Sequence, residues 1–177
     1  MERSKSILFI TELAIFTALG IVFDYVCGLF GGISWANGGS ISIAMVPIFL
    51  MSYKHGLKGG LLIGLLVGSI QILWGYMVHP VQVLLDYTLA YGVLGLAGIA
   101  KRFFTDNNIK NNIIIIISII IVCFLRLVCH VISGMVFYST PFWGSVTYNA
   151  SFIILSTPLC IILTCILYRI FKTSFIK

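Results

Sequence analysis

Ten of the eleven Lys and Arg residues of this chain lie in short breaks between long apolar stretches, and Arg126 alone lies inside one. Arg3 and Lys5 precede the first stretch, and Lys54 and Lys58 separate the second from the third. Lys101, Arg102 and Lys110 separate the fourth from the fifth; Arg169, Lys172 and Lys177 follow the sixth. The intervening breaks, 31–40, 77–79 and 139–143, hold no Lys or Arg. If each stretch crosses a bilayer once, all ten charges fall on one side; dropping one crossing scatters them. The positive-inside rule assigns that side to the cytoplasm.

The pattern predicts an all-α integral membrane protein of six transmembrane helices, near 7–30, 41–53, 57–76, 79–100, 112–138 and 144–170, with both termini cytoplasmic. At roughly 20 residues per crossing, 177 residues suit a single six-helix domain over 1–177. Composition points the same way. With 60% hydrophobic and 9% charged residues, a soluble fold of this size lacks the interior to hide its apolar side chains. The net charge of +6 is spread over short loops and does not call for a nucleic-acid partner. The first stretch has no small-residue cleavage site and reads as a retained helix, not a signal peptide.

Several chemistries are absent from the sequence. Cys27, Cys123, Cys129, Cys160 and Cys165 lie in apolar stretches without a C-x-x-C pair, so neither a disulfide framework nor a metal site is expected. No G-x-x-x-x-G-K-[ST], H-E-x-x-H or G-x-S-x-G motif occurs, and no cofactor is expected. No inverted repeat with broken helices is evident, which argues against a self-sufficient transporter. Gly60, Gly64 and Gly68 form a double G-x-x-x-G, and Gly92, Gly95 and Gly98 cluster on the next stretch; such positions let helix backbones approach closely. Ala14 and Ala18 make a further small-residue stripe.

Against this background Asp86 is conspicuous. An ionisable group within a membrane segment is costly and marks a functional site by default. Counting 1.5 Å per helical residue inward from the outer ends, Asp86 lies about 10 Å deep, His130 about 12 Å, and Tyr148 and Asn149 about 6–8 Å. Three helices thus bring polar groups to one level open to the outside, and Arg126, His130 and Ser133 share a helix face. A carboxylate in low dielectric favours a cationic group, aromatic faces add cation–π attraction, and His and Asn suit the edges of a heteroaromatic ring. The expected ligand is small, flat, aromatic and positively charged. Three structural alternatives stand beside this reading: Asp86 pairs with Arg126, His130 is a packing histidine, and Trp35 and Tyr138 are interfacial belt residues. Glu12 and Asp24, toward the two ends of the first stretch, read as solvated or locally paired.

The motifs Trp35-Ala36-Asn37-Gly38-Gly39-Ser40-Ile41-Ser42, Met45-Val46-Pro47-Ile48 and His79-Pro80 through Asp86-Tyr87 resemble the thiamine-specific substrate-binding (S) component of energy-coupling factor (ECF) transporters. Gly56-Leu57-Lys58-Gly59-Gly60 and His130-Val131-Ile132-Ser133-Gly134 share the resemblance. It implies a multi-pass subunit of a bacterial cell membrane, not an enzyme, that captures thiamine from outside. Its partners would be a transmembrane coupling protein and two ATPase subunits, which use the ATP. Ala14 and Ala18 match the family's surface for the coupling protein. Matching ligand positions are Trp35, Asp86, Tyr87, His130, Gly134, Tyr148 and Asn149, with Tyr138 the best match for an aromatic at the outer end of the fifth helix. The family pattern favours glutamate where this chain has Asp86, and tryptophan where it has Tyr138. In this reading Asp86 neutralises the thiazolium, Trp35, His130 and Tyr138 stack on the rings, Tyr87, Tyr148 and Asn149 fix polar edges, and loop 31–40 closes over the site. The alternatives are an S component for another small vitamin and a small membrane enzyme using Asp86 and His130 as acid and base.

Overall fold

The computed structural model describes residues 2–30 and 39–172, so Trp35, Lys177 and most of the expected lid lie outside the described residues. Among the described residues the chain forms five helices: α1 (Glu2–Phe30), α2 (Met45–Gln71), α3 (Pro80–Phe103), α4 (Asn108–Phe137) and α5 (Phe142–Ile170). α3, α4, α5 and the Arg3–Gly28 part of α1 are long and apolar enough to cross a membrane.

The second and third expected spans both fall in α2, which is folded back on itself. Gly56 takes φ 71° and ψ −161°, a conformation that glycine reaches without steric cost. The chain reverses there: Gly60 lies against Ser52, while Ala44 and Val67, from the two arms, both face Gly20 of α1. The arm 45–55 is the centre of the molecule, and every residue from Ala44 to Tyr53 is buried. Its polar groups find partners: Ser52 donates to the Ile48 carbonyl at 2.7 Å, and the Tyr53 hydroxyl meets Ser118 Oγ at 2.8 Å.

The second arm, 57–71, runs antiparallel to α3 with backbone against backbone. A Cβ on Gly60 would strike the Gly95 carbonyl, one on Gly64 the Tyr91 carbonyl, and one on Gly68 the Tyr87 carbonyl. The glycine spacing read from the sequence therefore serves packing within the chain. It also fixes α3, which carries Asp86, to the central hairpin.

α3 is irregular, and its irregularity lies at the carboxylate. Pro80 opens the helix behind His79, whose Nδ1 accepts from the Val81 amide at 3.2 Å. The helix widens to a π-type turn over Leu84–Leu89 and tightens to 3₁₀ over Val93–Phe103. Such wide turns recur at functional sites because they re-aim side chains. At the opposite end of the bundle, Glu12 of α1 meets Lys54 Nζ at 2.7 Å and His55 Nε2 at 2.6 Å beside the Gly56 reversal.

Candidate functional site

Asp86 projects from the wide turn of α3 and is held by groups on two helices. Its Oδ2 accepts from Gln82 Nε2 at 2.7 Å, one helical turn back, and from Ser133 Oγ of α4 at 2.8 Å. Its Oδ1 lies 3.0 Å from His130 Nδ1, also on α4. A carboxylate with this many donors is fixed in direction.

The protonation of His130 follows from its other neighbour. Arg126 Nε approaches His130 Nε2 at 3.3 Å, and a guanidinium can only donate. Nε2 therefore carries the lone pair, and Nδ1 bears the hydrogen given to Asp86. A neutral imidazole stands between the buried Arg126 cation and the partly exposed Asp86 carboxylate. The direct Asp86–Arg126 pair weighed as an alternative does not form among the described residues. Arg126 instead lies over the Tyr91 ring, 4.2 Å from its centre. Arg126 and His130 also follow from their spacing, one turn apart on α4.

These groups open on a cavity of about 590 Å³, within the range that suits a small heteroaromatic ligand. Its walls are aromatic. Tyr76 and Tyr138 stack with centres 6.3 Å apart, Tyr148 meets Phe152 edge-on, and His130 meets the same Phe152 at 5.9 Å. Tyr87 donates to the Tyr76 carbonyl at 3.3 Å. Asn149 turns its amide nitrogen toward the Ser145 carbonyl at 2.9 Å and the His130 carbonyl at 3.4 Å, tying α5 to α4. Gly134 faces Ser145, where a Cβ would collide with the hydroxyl, so glycine lets the two helices close on each other.

Of the residues singled out in the sequence, Asp86, Tyr87, His130, Gly134, Tyr138, Tyr148 and Asn149 all line this cavity. Trp35 lies outside the described residues. Ala14 and Ala18 are far from the cavity, exposed on the outer face of α1. Asp24 corrects the sequence reading: it lines the cavity, accepting from Ser42 Oγ at 3.0 Å and Trp74 Nε1 at 3.3 Å. A depth count from Phe30 puts Asp24 about 9 Å in, level with Asp86, and would have exposed it. Gln82, Gln71, Tyr76 and Trp74 also escaped notice. Gln82 carried a signal, four residues before Asp86 on one helix. Tyr76 and Trp74 carried none, because their place depends on the turn after α2.

Residues 10–176 match the model of the family described as Thiamine transporter protein (Thia_YuaJ). Thiamine transporter ThiT of Bacillus subtilis is 39% identical over 182 residues, covering 95% of this chain and 94% of that protein. Thiamine transporter ThiT of Lacticaseibacillus paracasei is 23% identical over 193 residues, covering 99% and 94%. A solved structure of ThiT from Listeria monocytogenes superposes with a TM-score of 0.81 at 22% identity, covering 97% of this chain and 98% of that one. At that identity the likeness speaks for the fold.

Proposed function

This chain belongs to the thiamine transporter protein family, a family of transporters and not of enzymes, and from that premise we propose how it captures thiamine. One observation carries the reading: a carboxylate anchored by Gln82, Ser133 and His130 faces a cavity walled by aromatic rings. Thiamine brings a permanent thiazolium charge and a flat aminopyrimidine. Asp86 neutralises the charge where the surrounding protein screens it poorly, which strengthens the attraction relative to water. The ring faces of His130 and Tyr138 flank the ligand, joined by Trp35. Tyr87, Tyr148 and Asn149 meet its polar edges, and Gly134, closed on Ser145, lies beside them.

In this proposal the whole chain, 1–177, is one substrate-binding domain of a bacterial cell membrane. The two arms of α2 are the second and third of six crossings, and both termini face the cytoplasm. It works as the S component of an ECF-type system: a transmembrane coupling protein docks on the face bearing Ala14 and Ala18, and two ATPase subunits supply the energy. The chain itself holds no cofactor and performs no chemistry on thiamine.

The test is thiamine titration of the detergent-purified chain, read by intrinsic tryptophan fluorescence, with Asp86→Asn beside it. Trp74 lines the cavity and reports on occupancy. Tight saturable quenching in the wild type, strongly weakened in Asp86→Asn, is expected. A folded wild type that does not bind overturns thiamine; equal binding in both proteins makes Asp86 structural.

A further inference from the structure

Gln82 is almost wholly buried, with 1% of its surface exposed, and every polar atom of its amide is engaged. Its Oε1 accepts from the Val78 amide at 3.1 Å. That bond fixes which end of the side chain is the nitrogen. Nε2 then spends its hydrogens on Asp86 Oδ2 at 2.7 Å and on the Tyr76 carbonyl at 3.3 Å. One side chain therefore joins the carboxylate to two points of the connection between α2 and α3. The Tyr76 carbonyl also accepts from Tyr87, and the Tyr76 ring stacks on Tyr138. Any shift of this connection moves the aromatic rim, and through Gln82 it turns Asp86.

We infer that Gln82 is a positioning residue for cation recognition: it sets the direction of the Asp86 carboxylate and couples it to the Tyr76–Val78 connection at the cavity rim. The inference rests on the reading that Asp86 faces the thiazolium of thiamine. A hydrophobic residue of equal size would fill the space but leave Asp86 short of one donor and the Val78 amide unpaired. A carboxylate short of a donor turns toward the donors that remain, and the connection loses its tie to it.

The experiment compares thiamine with its uncharged isostere, in which carbon replaces the quaternary nitrogen, binding to the full detergent-purified chain. Wild type, Gln82→Met and Asp86→Asn are titrated with both. Wild type should prefer thiamine, and Asp86→Asn should lose that preference. Gln82→Met should weaken thiamine by at least about tenfold and the isostere by no more than about twofold, because a charge-assisted bond is lost and the packing volume is kept. Equal weakening of both ligands reduces Gln82 to a packing residue and overturns the inference, as does no weakening of either.

A second measurement keeps the coupling open to refutation even if the thiazolium reading fails. Hydrogen exchange at the Val78 amide, in ligand-free protein, should be severalfold faster in Asp86→Asn than in wild type, since the link runs through Gln82. Unchanged exchange overturns the coupling whatever the ligand data show. A wild type that binds thiamine and isostere equally overturns the charge reading of Asp86, and the exchange result then decides the coupling alone.

Discussion

His130 Nδ1 lies 3.0 Å from Asp86 Oδ1, bridging α4 to α3, while the far nitrogen of the same ring receives Arg126. The imidazole thus stands between the buried Arg126 and the partly exposed Asp86, two charges of opposite sign. Kept apart, Asp86 remains available to a cation entering the cavity, and Arg126 is satisfied by His130 and the Tyr91 face.

His130→Phe tests this separation. Phenylalanine keeps a flat ring against Phe152 but gives Asp86 no donor and Arg126 no acceptor. Losing a hydrogen bond to a charged group costs about 1.5–3 kcal/mol, so the dissociation constant for thiamine should rise about 10- to 100-fold. Fluorescence titration measures it; wild-type affinity in His130→Phe would mean that Asp86 is aimed without the imidazole.

The contact between the second arm of α2 and α3 makes a different prediction. Gly95→Ala places a methyl group on the Gly60 main chain, which cannot yield as a flexible side chain would. Overpacking of this kind destabilises by about 1–3 kcal/mol, visible as a lower unfolding temperature in detergent. Gly28→Ala, where nothing lies within 4 Å of the added carbon, should leave that temperature unchanged.

The contrast between those glycines shows what the sequence could convey. Spacing alone put Gly60 and Gly95 on packing faces, and depth counting brought Asp86, His130 and Asn149 to one level. Both arguments use only the regular rise and period of a helix, so they hold wherever the helix is regular. They lose their grip where it is not. The wide turn at Leu84–Leu89 shifts Asp86 and Tyr87 off the ideal period, and Tyr76 and Trp74 are placed by a turn that no period describes. Asp24 escapes for a different reason: a carboxylate near a helix end reads as solvated or locally paired, whereas the chain at Ser42 and the Trp74 indole close over it. Arg126 shows the remaining limit, since a count along α4 gives depth but not which ring stands in between.

Glu12 offers a prediction at the end of the bundle away from the cavity. Its pairs with Lys54 and His55 tie α1 to the Gly56 reversal, yet the side chains are 15–22% exposed. Partial solvation limits such a pair to about 1 kcal/mol or less, so Glu12→Gln should lower the unfolding temperature slightly. Thiamine affinity should stay within about twofold of wild type, because distant sites act independently. A large loss of affinity would mean that the seating of α1 on α2 is transmitted to Asp24 and the cavity.

Substitution of the exposed stripe on α1 tests capture and transport separately. Ala14 and Ala18 point away from the bundle and touch none of the cavity groups. Two tryptophans there would leave the ligand site intact but fill the face that, in the proposed function, the coupling protein approaches closely. Ala14→Trp with Ala18→Trp should bind thiamine within about twofold of wild type in detergent. The same variant, reconstituted with a coupling protein and two ATPase subunits, should no longer accumulate thiamine in vesicles. Uptake at the wild-type rate would place the docking face elsewhere on the chain. Loss of binding together with uptake would mean instead that α1, through Asp24, is part of the ligand site, because the stripe and that carboxylate share one helix.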